Sequence, residues 1–558
     1  MPTDPIPTSS RTAPPTGRIA ARGVASWPGR PPLGVVVVAA LAACFHIAPF
    51  LRAERATPPG WTFADNMTVS PDMMQYRVWA RQAAGRGPLV DDRFTSEPNR
   101  PHLFVVTYWA VGTTARVLGT TPERVYAYAG VPLAFLLVLL LYRIVRHFVP
   151  DAHAAWWTFL ALVAGGGFGA HLKLVNELPG ARDHPLLRRL VAEPLARTPL
   201  FEDYRSHYVV KVLLDTHFLV IWIAALASVL AFYAAVRRGG PRRTIGAASL
   251  FAASTLLHLY EGITLLAIAA GIVACTWPLA AHRRHALHAL AAVTLATGAA
   301  YAVQVRWFLR SGIPLPAWRA VDVLFATLVL AYPVAFALIA RGWRDTWRDA
   351  PLPARVLAGW ALGCLVVTLS APFYPYPDRG TMTLQVPLTV LGGMAYFARH
   401  SRLTRAALVV GVLTLGATPA WLLARTWRNT GFRADAPWAF QHEGHRAVLA
   451  ALQARATADD VLLADGPDAL WLAPTFPGRH YVAHFFLTVD YARKQAELER
   501  LLASAAPADA RLLAAHRIRW FFVNEARGPA RFAALPGLVP VVRSRAGWLF
   551  EVRPAGTP

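Results

Sequence analysis

Apolar positions along this chain follow two regimes. Up to about residue 428 they form long runs separated by short, arginine-rich breaks; beyond it they form short strand-like runs alternating with helical spacing. Runs of about 20 apolar residues can cross a bilayer. Such runs lie near 33–51, 124–148, 153–172, 209–236, 244–259, 261–281, 286–307, 320–340, 354–373, 381–398 and 405–424. The pattern predicts about eleven spans, hence an α-helical polytopic membrane domain over 33–428. Before it, residues 1–32 are rich in Pro, Ser, Thr and Arg and read as a disordered basic tail. No small-residue cleavage site follows the first run, which reads as an uncleaved span.

In the second regime, 436–457 reads as a helix, 460–464 and 479–486 as strands, and 489–504 as a helix. A strand over 517–525 and a hairpin over 538–552, turning near Arg545–Gly547, complete it. Strands alternating with helices predict a small C-terminal α/β domain over 429–558. "ADGPDA" (464–469) lacks the spacing of a phosphate-binding loop.

Charge changes the picture by where it falls. Only 16% of the 558 residues are charged and 55% are hydrophobic, yet the net charge is +24. The arginines cluster between apolar runs, at 143–147, 237–243, 282–285, 341–348 and 399–405. With the N-terminus inside and the spans alternating, every cluster falls in the cytoplasm, which satisfies the positive-inside rule and argues against nucleic acid as a partner. The same alternation puts a large first loop (52–123), the 173–208 loop, the 375–380 turn and the C-terminal domain outside. "PHLFVVTYWAVGTTARVLG" (101–119) then reads as a helix lying at the interface, since counting it as a span would put the later arginines outside. Lysine occurs only at Lys173, Lys211 and Lys494, a bias of high-GC bacterial genomes, so the expected location is a bacterial inner membrane. Cys44, Cys275 and Cys364 each sit within an apolar run and support neither a disulfide framework nor a metal cluster.

The candidate chemistry collects on the outer side of this topology. "SPDMMQYRVWARQ" (70–82) starts a helix: Ser70 can cap it, Pro71 suits the first position, and Asp72 favours the positive end of the dipole. On it Asp72, Gln75, Tyr76 and Trp79 share one face. Ionisable groups at a membrane face are costly unless they line a cavity. The others there are Asp65, the Asp91–Asp92 pair, Glu97, Asp215 and His217 in "LLDTHF", His258 and Glu261 in "LHLYEG", Asp378 and Arg379, and Glu202, Asp203, Arg205 and His207 in "FEDYRSHY". Each has an ordinary alternative: a helix-start charge, a solvated turn, or an arginine reaching lipid phosphates. "NMT" (66–68) matches a glycosylation acceptor pattern that recurs by chance.

Taken together, these residues resemble the GT-C glycosyltransferases, polytopic enzymes that take a sugar from a polyprenyl-phosphate carrier. The 70–82 stretch is similar to one in protein O-mannosyltransferases and aminoarabinose transferases, with Asp72 on their catalytic acid and Met73 where they often carry a second carboxylate. A nearer likeness is to bacterial GT-C-like membrane proteins that show an acid and tyrosine like Asp72 and Tyr76, a "TSE" like 95–97, and a pair like His258 and Glu261. They also carry an arginine like Arg379, a stretch like "ARKQAEL" (492–498) and an ending like "GWLFEV".

The resemblance implies an inverting transferase acting on an unknown glycan, lipid or protein acceptor at the membrane lipid surface. Asp72 would be general base and Arg379 would bind the donor phosphate. Tyr76, Glu97, His217, His258 and Glu261 would support or orient the acceptor, and Asp65 would be a substitute base. A divalent cation is left open. The competing reading is a non-catalytic polytopic protein, either transporter-like or a binder of lipid-linked sugars. Transporters place ionisable groups at the midplane of repeated halves, a pattern this sequence lacks.

Overall fold

A computed structural model describes residues 30–66, 71–167, 169–180, 183–189, 209–310, 332–370, 377–397, 416–504 and 506–553. Six of its helices are long and apolar enough to cross a membrane: Leu33–Arg55 (α1), Pro122–Phe148 (α4), Thr216–Arg238, Leu259–Thr276, Ala280–Leu309 and Pro351–Thr368. α1 carries the logic of the group. Leu33, Val37, Leu41 and Phe45 recur one turn apart and face outward, while Val35, Ala39, Ala42 and Phe50 are buried. Large apolar residues point to where lipid would lie and small ones let helices approach. Leu259–Thr276 and Pro351–Thr368 meet backbone to backbone: a Cβ on Gly359 would stand 2.4 Å from the Ile272 Cα and one on Gly363 2.4 Å from the Ile268 Cα.

Several expected spans are corrected. The 153–172 run is broken: helix α5 (Ala152–Ala164) stops at Gly165, and α6 (Gly169–Glu177) follows the glycine run. Gln385 fills the break, its side-chain NH₂ donating to the Leu162 and Gly165 carbonyls at 3.0 Å. The 209–236 run divides into Val209–Val212 and Thr216–Arg238, because Asp215 caps the second piece by accepting from His217 N. The arginine cluster at 341–348 lies within the helix Pro333–Asp349 rather than in a loop. Residues 1–29, 311–331, 371–376 and 398–415 lie outside the described residues, and with them most of the tail, the 399–405 cluster and parts of the 320–340 and 405–424 runs.

The remaining mass is built from two distant pieces of chain. In the 52–123 segment, α2 (Pro71–Arg86) packs on α3 (Val106–Leu118), and β2 (Leu89–Val90) pairs antiparallel with β3 (Leu103–Phe104). β1 (Trp61–Phe63) pairs antiparallel with β4 (Phe440–His442), residues expected to lie in a helix. β5 (Val461–Leu463), β6 (Arg479–His480), β7 (Ile518–Asn524), β8 (Leu538–Ser544) and β9 (Gly547–Val552) form one sheet in the order β6-β5-β7-β9-β8, with β6, β5 and β7 parallel and β9 and β8 antiparallel. Alternation sorts its faces. Val461, Leu463, Phe521 and Val523 pack against Leu498 and Leu501 of the helix Tyr491–Ser504. Leu462, Trp520, Phe522 and Leu549 share a core with Met74, Val78 and Phe94 of the 52–123 segment.

The strand expected over 479–486 ends at His480. Residues 93–95 run alongside this part of the chain: His480 N donates to the Arg93 carbonyl (2.8 Å), and Thr95 bridges Val482.

Candidate active site

α2 begins at Pro71 with Asp72 in its first turn; Ser70, the expected cap, lies outside the described residues. The expected face of α2 divides in use. Tyr76 stacks on Tyr108 of α3 (ring centroids 4.7 Å apart) and tilts over His217 at 4.5 Å, with Trp79 against Tyr108. Asp72, about half exposed, looks instead toward the sheet region, with Oδ1 3.6 Å from Nε2 of His484.

His217 is held from three directions. Its backbone N–H donates to Asp215 Oδ1 and to the Tyr126 hydroxyl, which itself donates to Asp215 at 2.8 Å. Nδ1 lies 2.7 Å from the Tyr108 hydroxyl, and the ring sits 5.4 Å from that of His258. His258 ends the helix Pro241–Leu257, and Glu261 lies in the first turn of the next, so both face the same junction. Glu261 is buried and neither of its carboxylate oxygens accepts a hydrogen bond from the described residues. Arg379 lies on the short 3₁₀ turn Pro377–Thr381, and its guanidinium stands 6.0 Å from the ring of Phe218, the residue after His217. Tyr76, His217 and His258 are therefore in ring contact one after the next, Glu261 lies one turn along from His258, and Asp72 stands one turn from Tyr76.

Tyr76 also lines a cavity of about 280 Å³, together with Met73, Asp65, Arg77, Glu123 and Asp215, to name its main polar groups and the residue beside Asp72. Its walls combine aromatic rings, carboxylates, a lysine (Lys211) and two amides (Asn66 and Asn429). Asp65 belongs to this wall but is engaged: it accepts from the Thr121 hydroxyl (2.8 Å) and from Arg124 Nε (2.9 Å). Arg77 and Arg81 both donate to Glu123 Oε1, at 2.8 and 3.1 Å. His46, in the middle of α1, reaches the Leu213 carbonyl at 2.7 Å and fits only because Gly130 has no side chain; a Cβ there would come 1.8 Å from its Nε2.

Glu97 lies elsewhere, on the seam with the sheet region. Lys494 Nζ donates to both of its oxygens (2.7 and 2.9 Å) and to Ser96, and the Thr95 hydroxyl donates to it as well. Burial alone would raise the Glu97 carboxyl, but the hydrogen bonds from Lys494 and Thr95 and the lysine's charge hold it below its usual range. Asp92 nearby is buried, and burial pushes its carboxyl up to about 7 against the hydrogen bond from Phe94 N. Asp91 pairs with Arg86 and Arg93. "FEDYRSHY", with Glu202, Asp203, Arg205 and His207, lies outside the described residues, as do Met67 and Thr68 of "NMT".

Among the described residues, no three His, Cys, Asp or Glu side chains come together as a metal ligand set. Sequence reasoning missed His46, Tyr108, Tyr126 and His484. A histidine inside the first apolar run was the readable sign for His46; the other three become significant only through contacts made across the fold.

No family model and no curated protein matches this sequence. Solved structures do match, 19 chains in all. The apo crystal structure of the Archaeoglobus fulgidus oligosaccharyltransferase aligns with a TM-score of 0.53 and 12% identity, over 90% of this chain and 70% of that one. A second structure of that protein, in complex with Zn and sulfate, aligns over 90% and 69% at 12% identity, with a TM-score of 0.42, too low to argue from. At this identity the first match speaks to architecture alone: the chain shares the fold of that oligosaccharyltransferase.

Proposed function

We propose that this protein is a membrane glycosyltransferase that moves a sugar from a polyprenyl-phosphate carrier to an extracytoplasmic acceptor with inversion. The carrying observation is the polar run of Tyr76, His217 and His258, with Glu261 one turn from it and Arg379 over the neighbouring Phe218, beside a cavity and one turn from Asp72, in a chain with an oligosaccharyltransferase fold. Asp72 takes the proton of an acceptor hydroxyl as its oxygen bonds to the anomeric carbon. The bond from that carbon to the phosphate oxygen breaks on the opposite face, and its electron pair leaves with the carrier phosphate. A positioned base contributes about 10² to 10⁴ in rate.

Arg379 receives the leaving phosphate, because a guanidinium keeps its charge and bonds phosphate in pairs. His217, His258 and Glu261 orient the reactants along this run. The aromatic and carboxylate walls of the cavity suit a saccharide, and the C-terminal region recognises the acceptor. In this reading the polar run faces the outside of a bacterial inner membrane.

Met73 supports a second reading, a protein that binds a lipid-linked sugar without turning it over, since a thioether stands where related enzymes often have a second carboxylate. One assay separates the two: purified protein with a panel of polyprenyl-phosphate sugars and membrane extract as acceptor source, run beside Asp72→Asn. Transfer by the native protein, reduced at least 100-fold in a folded Asp72→Asn variant, is the expected result. Equal transfer by both would remove Asp72 from the chemistry; donor binding without transfer would favour the second reading.

A further inference from the structure

The structure brings a histidine from the C-terminal region to Asp72, more than 400 positions away in the chain. The side chain of His484 is 1% exposed, and its Nε2, buried and without a hydrogen-bond partner, faces Asp72 Oδ1 at 3.6 Å. The other ring nitrogen decides what Nε2 can do. Nδ1 accepts the backbone N–H of Phe486 at 3.1 Å, and a nitrogen that accepts carries no proton. In the neutral ring the proton is then on Nε2, directed at the carboxylate.

The ring is fixed from both sides. It lies parallel to Phe485 (5.2 Å between centroids, 5° between planes) and meets the edge of Phe94 at 5.5 Å. The loop that carries it is closed by Thr488 N donating to the His484 carbonyl, and the Thr488 hydroxyl ties it to the Phe94 carbonyl of the 52–123 segment at 2.6 Å. A ring so anchored cannot turn away from Asp72 without opening the seam between the two regions. A gap of 3.6 Å is longer than a hydrogen bond, but such contacts are often loose before substrate binds and tighten afterwards.

We propose that His484 is a positioning residue for Asp72. Its Nε2–H holds Oδ1 and so fixes the rotation of the carboxylate that takes the acceptor's proton. The inference rests on the reading of Asp72 as the base. It also gives the C-terminal region a part in the reaction, because the carboxylate is oriented only while that region is docked.

Two substitutions in the full-length protein divide the roles of the ring. In His484→Asn the short amide can still accept from Phe486 N but cannot reach Asp72. In His484→Gln the amide NH₂ takes the place of Nε2–H and the turn loses its acceptor. A positioning role predicts that Asn lowers kcat by about 10- to 100-fold with KM nearly unchanged, since a misplacement of about 1 Å can cost 10²-fold. Gln recovers most of that loss. The reverse order, with Asn active and Gln impaired and less heat-stable, would mean that His484 only braces its turn, and it overturns the proposal.

Asp72→Asn is measured alongside. If that variant is inactive while both His484 variants match the native protein, the inference fails and the base reading stands; if it is fully active, both fail. Should no donor turn over, melting temperatures of Asp72→Ala, His484→Asn and the double variant decide. Non-additive shifts support the pair, and additive shifts overturn it.

Discussion

The helix bundle and the polar layer beside it are held together by opposite means. Within the bundle, the contact between Leu259–Thr276 and Pro351–Thr368 depends on absent side chains: Gly359 and Gly363 bring two backbones to a distance that no Cβ would allow. In the polar layer, contact depends on individual groups that meet across about 400 residues, such as Lys494 with Glu97, Thr488 with Phe94 and His484 with Asp72. In lipid, where burying apolar surface gives helices no reason to associate, close packing must do the work. Beside water, a shared apolar core (Met74, Val78 and Phe94 with Trp520 and Leu549) supplies the attraction, and the polar groups set the register. The proposed chemistry lies where the two schemes join.

The largest effect should come from filling the helix contact. Gly363→Leu would drive a side chain into the backbone at Ile268, and overpacking of this kind costs about 3 kcal/mol or more where backbones must separate. Val366→Ala on the same helix, at a position 56% exposed, should stay within about 0.5 kcal/mol. Thermal challenge in detergent followed by size-exclusion chromatography would measure both. If the two variants behaved alike, the helices would not meet at the glycines.

Next comes a pH effect confined to the polar layer. The Asp92 carboxyl is raised from an ordinary 3.8 to about 7 in the folded protein, chiefly by burial. A raised carboxyl means that the folded state holds its proton when the unfolded chain has lost it. Its contribution is complete below the unfolded value, shrinks as pH rises, and is lost once the folded value is passed. Between pH 5.5 and 8.5 the fall should be about 2 kcal/mol. Asp92→Asn keeps an oxygen to accept from Phe94 N and removes the titration, so its melting temperature should fall less than that of the native protein over the same range. A native protein whose melting temperature does not respond to pH, or a variant with the same slope, would count against a buried Asp92.

The same division governs how much of the molecule was legible in the sequence. The six long helices and the 538–552 hairpin lie close to where hydropathy and turn chemistry put them. The breaks at Gly165 and at Leu213–Asp215 did not register, because periodicity cannot distinguish a continuous span from two helices joined by a capped turn. The β1–β4 pairing and the shortened β6 were hidden for a different reason: in each, the partner strand or segment lies nearly 400 residues away. Of the candidate residues, Tyr76 was marked by the helix face it shares with Asp72, and His217 and His258 by polarity at the ends of apolar runs; the fold brings these three rings into contact. Glu97, marked by its place in the first outer loop, meets Lys494 instead. Polarity at a membrane face identifies groups that need a partner, and it does not say whether that partner is substrate or protein.

The Glu97–Lys494 pair gives the smallest predicted effect and the closest test of how the layer is clamped. The Lys494 side chain is 1% exposed and that of Glu97 38% exposed, so the two ends do not stand to lose equally. Glu97→Gln leaves a buried ammonium with only neutral acceptors, among them Ser96. Losing a charged partner beside a buried ion is costly, but water at the open side screens part of it, and the expected loss is about 1–2 kcal/mol. Lys494→Met fills the same volume with an apolar chain and leaves a carboxylate that water can reach, which should cost less than about 1 kcal/mol. The order of the two melting temperatures therefore matters more than either size. Glu97→Gln below Lys494→Met means that the seam is sensitive from its buried side; the opposite order would mean that the lysine's packing, and not its charge, joins the 52–123 segment to the helix Tyr491–Ser504.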